Sequence, residues 1–155
     1  MDGSFVLATT TARLGSSAQL RRNLEQLLKR IVPESHHAHH RVPLNVVGPN
    51  KLYQKAMARN LYDPDRAGNG IFLKDGPNVR DPTSDHLPYH NGSHRMYDEE
   101  VQLAIRQILR YANIRPKNLS DRTIVSDQML TDVSLDIEAE TTRIISRWRP
   151  QERLN

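Results

Sequence analysis

The chain of 155 residues contains no cysteine. This absence excludes disulfide bridges, zinc sites built on thiolates and thiol nucleophiles. It leaves histidine, aspartate and glutamate as the side chains that can hold a metal ion. Aromatic residues are also scarce, at 5% of the chain, and hydrophobic residues make up 37%. We therefore expect a single domain with a modest, aliphatic core.

Long apolar runs are missing as well. No stretch of 18 apolar residues occurs in the sequence, so we expect no membrane segment. The N-terminus has no basic start followed by an apolar run, and it therefore does not have the pattern of a secretory signal peptide. If the protein leaves its cell, we expect another route of export, or else the chain is part of a longer protein.

Histidine is concentrated in one part of the chain. All seven histidines lie between residues 36 and 94, and His90 and His94 are four residues apart. Four others occupy five consecutive positions, His36-His37-Ala38-His39-His40. Imidazole is the commonest protein metal ligand and can act as a base near neutral pH. The pattern favours a compact metal-dependent hydrolytic site, with a solvent-exposed surface tract as the alternative.

The basic residues favour the same part of the chain. The net charge is +4, but residues 1–97 carry 13 Lys/Arg and 8 Asp/Glu, whereas residues 98–155 carry 9 and 10. A basic surface near a candidate metal site favours a polyanionic substrate. An excess of this size is also ordinary for a protein that binds no nucleic acid, so charge alone adds little.

Apolar periodicity predicts a mostly helical chain with two short strands. The expected elements are a helix over 16–32, a strand over 38–47, a helix over 51–61, a strand over 71–73, a helix over 97–112 and one or two helices over 118–149. The apolar face of the first helix is expected to comprise Leu20, Leu24, Leu27, Leu28 and Ile31.

Strand, strand and helix in this order can form a ββα unit that points three imidazoles at one ion. Residues four apart share a helix face, so His90 and His94 are expected to chelate together. Gly92 lies between them and lowers helix propensity, so this turn is expected to be only partly helical. Neighbouring residues on a strand point to opposite sides, so His39 and His40 are expected to have different roles.

Three motifs in this order carry a resemblance to a known family. They are Ala38-His39-His40 followed by Val42-Pro43-Leu44, then Asn69-Gly70-Ile71-Phe72-Leu73, then His90-x-Gly92-Ser93-His94-x-x-Tyr97. Over about residues 20–110 the sequence resembles the AHH nucleases of the HNH/endonuclease VII superfamily. These nucleases occur mainly as C-terminal toxin domains of bacterial polymorphic toxins.

The resemblance implies an α+β fold, mostly helical, around a ββα-metal core of the HNH or treble-clef-like type. It implies that His39, His90 and His94 are the metal ligands and that His40 is the general base. The ion would act as a Lewis acid at the phosphate. Asn69 matches the middle residue of the HNH pattern. In that pattern the asparagine braces the loop, so that the base is correctly aimed. Asn60 is a weaker alternative for this position.

Other residues near the motifs are expected to assist. Arg41 and Arg95 adjoin motif histidines and are candidates for phosphate contacts. His37 and Tyr97 are possible auxiliary residues, although a tyrosine at a helix start is more often simply packed. His36 and His37 are expected to be exposed, and His86 is expected to be a loop residue and not a fourth ligand.

The complete expectation is one nuclease toxin domain over 1–155, with an N-terminal helix (16–32), a metal core (36–114) and a helical tail (118–149). The cofactor would be one divalent ion: Mg²⁺, Mn²⁺, Ni²⁺ or Zn²⁺. The partners would be DNA and a cognate immunity protein, for a secreted effector that acts in the target-cell cytoplasm. The alternatives are an RNase of the same fold and a catalytically inactive, zinc-stabilised interaction domain.

Overall fold

The structure is a computed structural model of the chain, and it describes residues 14–90, 94–120 and 125–148. The α+β class expected from the sequence is confirmed. The elements in chain order are α1 (Ser17–Leu28), β1 (His36–His40), α2 (Leu44–Val47), α3 (Lys51–Ala58), β2 (Gly70–Lys74), α4 (Arg95–Tyr111), α5 (Pro116–Ser120) and α6 (Asp127–Arg147). Among the described residues, no helix is long and apolar enough to cross a membrane.

The two strands form a small antiparallel sheet. In its register His39 lies opposite Ile71, and His40 lies opposite Gly70. Helix α1 packs on this sheet, where Leu20 and Leu24 form a small buried cluster with Val32 and Phe72. A Cβ atom on Gly70 would lie 2.8 Å from side-chain atoms of both leucines. Glycine at this position therefore allows α1 to sit directly on the sheet.

The strand expected over 38–47 is wrong in its second half. The strand ends at His40, and Pro43 is followed by the short helix α2. Proline has no backbone N–H to give to a sheet, but it is well tolerated at a helix start. Val42 and Val46, four residues apart, are both buried. Val42 precedes α2 and Val46 lies on it, so these two buried residues do not belong to one continuous strand.

The first helix is shorter than expected, and part of its expected apolar face is exposed. It ends at Leu28, because Lys29 takes a left-handed conformation (φ 53°) and its N–H bonds back to the carbonyl of Gln26. This geometry is a common helix terminus. Ile31 therefore lies beyond the helix and is 89% exposed, and Leu27 and Leu28 are also exposed.

Helices α4 and α6 pack against each other and supply much of the main core. The helix expected over 97–112 is confirmed as α4. On α6, Ile137, Ile144 and Ile145 are fully buried. The carboxylate of Glu138, also buried, pairs with Arg66 in the loop before β2. The C-terminal helix is therefore tied to the same core as the sheet.

We predict that Ile137→Ala lowers the free energy of unfolding by about 2–5 kcal/mol, because it leaves a cavity between α6 and α4. Urea denaturation measures this change in the free energy of unfolding. The matched control is Leu135→Ala on the same helix, since Leu135 is 46% exposed and its truncation should change stability by about 0.5 kcal/mol or less. Equal losses in the two variants would contradict the observed packing face of α6.

Candidate metal centre

Three histidines from three parts of the fold meet at one point. His39 comes from β1, His90 from the chain after β2, and His94 from the start of α4. One ring nitrogen from each lies within 4.8 Å of the other two. The ring centroids of His39 lie 5.1 Å from His90 and 4.8 Å from His94. This spacing allows a single ion to be held by all three imidazoles.

The backbone, not a shared helix face, brings His90 and His94 together. The backbone N–H of His90 donates to the carbonyl of Lys74 (2.7 Å), so the chain returns beside the end of β2. His94 is the N-cap of α4 and has a non-helical conformation. Helix α4 begins only at Arg95, after both histidines, and the two rings nevertheless meet, with centroids 5.3 Å apart.

His39 has the environment of a metal ligand. It is 4% exposed, and its Nε2 atom has no hydrogen-bond partner in the described part of the chain. Burial first, and then the neighbouring His94 and His90, hold the pKa of His39 well below its usual value. A neutral imidazole with an uncommitted nitrogen is the form that binds a metal ion. The donor set therefore fits a divalent ion of the kind that imidazole prefers.

A carboxylate orients His94. The Nδ1 atom of His94 lies 2.9 Å from Asp98 Oδ1, and both side chains are largely buried. An N–H donated to the carboxylate leaves Nε2 as the acceptor, which is the usual arrangement of a metal-binding histidine. The histidine motifs alone did not indicate Asp98. The available signal was a carboxylate four residues after His94, in the first turn of α4.

Tyr97 forms a wall of the centre. It is fully buried, and its ring centroid lies 5.4 Å from that of His39 and 5.9 Å from that of His94. Its hydroxyl donates to the backbone carbonyl of Arg41. Burial raises the pKa of Tyr97 well above its usual value, so the hydroxyl remains protonated. Tyr97 is therefore placed to hold the two imidazoles by packing.

His40 borders the same cleft but has a different partner. The cleft, of about 240 Å³, is lined by His39, His40, His90 and His94 among others. The Nε2 atom of His40 lies 2.8 Å from Asp65 Oδ1, in a contact that is mostly shielded from solvent. Asp65 lies in the loop between α3 and β2. No signal in the sequence linked it to His40, 25 residues earlier.

Asn69 joins the segment that follows His40 to the loop that carries Asp65. It is fully buried. Its Oδ1 atom accepts from the backbone N–H of Val42 (2.8 Å), and its amide group donates to the carbonyl of Pro64 (2.9 Å). Val42 follows His40 by two residues, and Pro64 immediately precedes Asp65. Asn60, the alternative residue, lies just after α3 with a φ of 56° and does not line the cleft.

The two arginines beside the motifs do not reach into the cleft. Arg41 donates to the hydroxyl of Thr142 on α6 (3.0 Å). Arg95 is highly exposed and pairs with Glu99 along the surface of α4. The structure thus shows protein partners for both, and neither lines the cleft.

The remaining histidines, His36, His37 and His86, differ in their exposure to solvent. His36 was expected to be exposed, but it is 3% exposed, and its Nε2 lies 3.0 Å from a carboxylate oxygen of Asp81. The expectation was wrong because position 36 faces the α1 side of the sheet. His37 is exposed, with its ring centroid 5.7 Å from that of His90, at the edge of the centre. His86 is an exposed loop residue, as expected.

Comparison with known proteins identifies the family. Residues 21–133 match the AHH family, described as a nuclease family of the HNH/ENDO VII superfamily with conserved AHH. No curated protein and no solved structure matches the chain. The match spans most of the chain and includes every residue of the histidine cluster, which confirms the resemblance seen in the motifs. The chain therefore belongs to the AHH family of nucleases.

Proposed function

We propose that the protein is a metal-dependent endonuclease that hydrolyses phosphodiester bonds of DNA, with one divalent ion as its cofactor. The observation that carries this proposal is the convergence of His39, His90 and His94 beside a fourth imidazole, His40, that has a carboxylate partner. A phosphodiester requires an activated water, charge neutralisation and support for the leaving oxygen. This set of residues can supply all three within one cleft.

His39, His90 and His94 would hold the ion. When bound there, it supplies Lewis-acid stabilisation of charge on the phosphate and the leaving oxygen. An imidazole binds a metal ion in its neutral form, so the three ligands would not cancel the charge that faces the substrate. Asp98 keeps the Nε2 atom of His94 available, and Tyr97 keeps the rings packed.

His40 would act as the general base. Its ring borders the cleft, and its Nε2 atom is already hydrogen-bonded to Asp65. The proton of the attacking water would therefore pass to Nδ1. Asn69 would fix the backbone after His40, because its side chain bonds to Val42 and to the Asp65 loop. A positioned base of this kind contributes roughly 10²- to 10⁴-fold to a rate.

The ligand number supports catalysis over a purely structural role. Structural zinc sites are closed by four protein ligands, whereas catalytic sites have three and keep a position open. Among the described residues, the cluster that could hold an ion contains three histidines. This observation favours the nuclease over a zinc-stabilised interaction domain.

The first prediction from this proposal concerns substrate and cofactor. Supercoiled plasmid DNA should be nicked and degraded when the protein is supplied with Mg²⁺, Mn²⁺, Ni²⁺ or Zn²⁺, with no strong sequence preference, since backbone contacts read no bases. EDTA should abolish cleavage. Structured RNA is assayed in parallel under the same conditions. Cleavage of RNA with intact DNA would make the protein an RNase, and cleavage that persists in EDTA would contradict metal dependence.

The second prediction separates ligands from base. His39→Ala, His90→Ala and His94→Ala should each weaken metal binding in calorimetric titration by at least about tenfold, because each removes one of three donors. His40→Ala should keep its metal affinity and lose roughly 10²- to 10⁴-fold in cleavage rate.

The matched control for these variants is His86→Ala, since His86 is exposed and lies outside the cleft. It should change neither metal affinity nor rate. If His40→Ala loses its metal, then His40 is a ligand and the division of roles is wrong. If His90→Ala binds metal normally, then His90 does not belong to the centre.

We further propose that the nuclease is a toxin: the C-terminal part of a longer protein, delivered into a target cell, active in its cytoplasm and neutralised by a cognate immunity protein. This proposal is supported by the resemblance of the motifs to polymorphic-toxin nucleases. We predict that cytoplasmic expression in a bacterium stops growth and fragments the chromosome, whereas equal expression of the His40→Ala variant does not. Normal growth with soluble, active wild-type protein would contradict the toxin role.

A further inference from the structure

We propose that Asp65 is the positioning residue of His40, and that the N-terminus of α1 holds Asp65 in place. This inference depends on the proposed function, in which His40 is the base. The inference adds helix α1, which lies outside the ββα unit, to the elements that form the site. In this arrangement, the start of α1 forms part of the catalytic apparatus through its hold on Asp65.

The first step is the tautomer of His40. A carboxylate can only accept a hydrogen bond, so the contact of 2.8 Å with Asp65 places the ring proton on Nε2. The lone pair of a neutral imidazole is then on Nδ1. In the described part of the chain, this contact is the only hydrogen bond to the ring. Asp65 therefore fixes both the rotation of the ring and the nitrogen that receives the proton.

The second step is the attachment of Asp65 to α1. The backbone N–H of Ser16, the N-cap of α1, donates to both carboxylate oxygens, at 2.7 and 2.8 Å. The side-chain amide of Asn23, further along α1, donates to the backbone carbonyl of Asp65 (2.7 Å). Negative charge is stabilised at a helix N-terminus by the helix dipole. Asp65 is therefore held by α1 both at its carboxylate and at its backbone carbonyl.

Gly15 allows the carboxylate of Asp65 to lie close to the N-terminus of α1. It has a φ of +27°, and a Cβ atom there would lie 2.8 Å from Asp65 Oδ1 and 2.7 Å from a methyl group of Leu44. Any side chain at position 15 would therefore press on the carboxylate itself. The family match begins at residue 21, so Gly15 and Ser16 precede the matched segment. The attachment is thus a feature that the family comparison does not assign.

The test uses the full chain, with Asp65→Ala as the first variant. We expect kcat for DNA cleavage to fall by about 10- to 100-fold, the usual effect of removing a residue that orients a catalytic or metal-binding imidazole. KM and metal affinity should not change, because Asp65 contacts neither substrate nor ligand histidines. The matched control is Asp63→Asn in the same loop, which keeps the side-chain oxygen that accepts from the Asp65 N–H and should retain the full kcat.

A second readout does not depend on activity. In ¹⁵N-histidine-labelled, metal-free protein at a pH where the rings are neutral, NMR should show His40 as a single Nε2–H tautomer. Asp65→Ala should convert this signal to a mixture of tautomers, and Asp63→Asn should leave it unchanged. An unchanged tautomer together with an unchanged kcat in Asp65→Ala would overturn the proposal.

A pair of glycine variants keeps the test decisive if Asp65→Ala fails to fold. Gly15→Ala retains the carboxylate but displaces it, so kcat should fall with KM unchanged. Gly76→Ala is the control, since a Cβ there meets nothing within 4 Å. A Gly15→Ala variant with wild-type kcat and tautomer would overturn the role of α1.

The outcomes also separate this inference from the proposed function. If the wild-type protein cleaves no nucleic acid, the nuclease proposal fails, whereas the NMR comparison still decides whether Asp65 orients His40. If the wild-type protein is active and both pairs of variants behave alike, the nuclease proposal stands and the positioning role is wrong.

Discussion

The antiparallel pairing of β1 with β2 is the constraint on which the site depends. It sets two adjacent histidines at the end of a strand, where successive side chains take opposite directions. His39 meets His90 and His94 on the α4 side, and His40 meets Asp65 on the α1 side. One short strand thereby supplies the proposed metal ligand His39 and the proposed base His40 to a single cleft. A shift of the strand by one residue would exchange these directions and remove both functions.

The hydrogen bonds of the imidazoles divide the site into two halves. In the metal half, Asp98 occupies one nitrogen of His94, while the Nε2 atom of His39 is buried without a partner. In the base half, Asp65 occupies one nitrogen of His40, and Asn69 fixes the backbone that follows. The carboxylates thus orient the rings and are not among the proposed ligands. In the proposed mechanism an ion held by three imidazoles would keep its charge available to a phosphate group.

Much of this arrangement could be predicted from the sequence, because its signals are local. The motif histidines are unusual in number and spacing, and the apolar periodicity of α4 is strong. The errors have physical causes: β1 ends at His40 and Pro43 caps the start of α2, and Lys29 stops α1 before Ile31. Asp65 and Asp98 were missed because carboxylates are common in turns and at helix starts. Only the tertiary fold distinguishes these two from the others.

The central claim is that one divalent ion sits among His39, His90 and His94. The most direct measurement is the anomalous scattering of Mn²⁺ or Ni²⁺ in crystals of the metal-loaded protein. One strong anomalous peak is expected about 2.0–2.3 Å from a ring nitrogen of each of these three histidines, with His40 close by but not bound. A peak bound to His40, or no peak in the cleft of a fully loaded and active protein, would contradict the account.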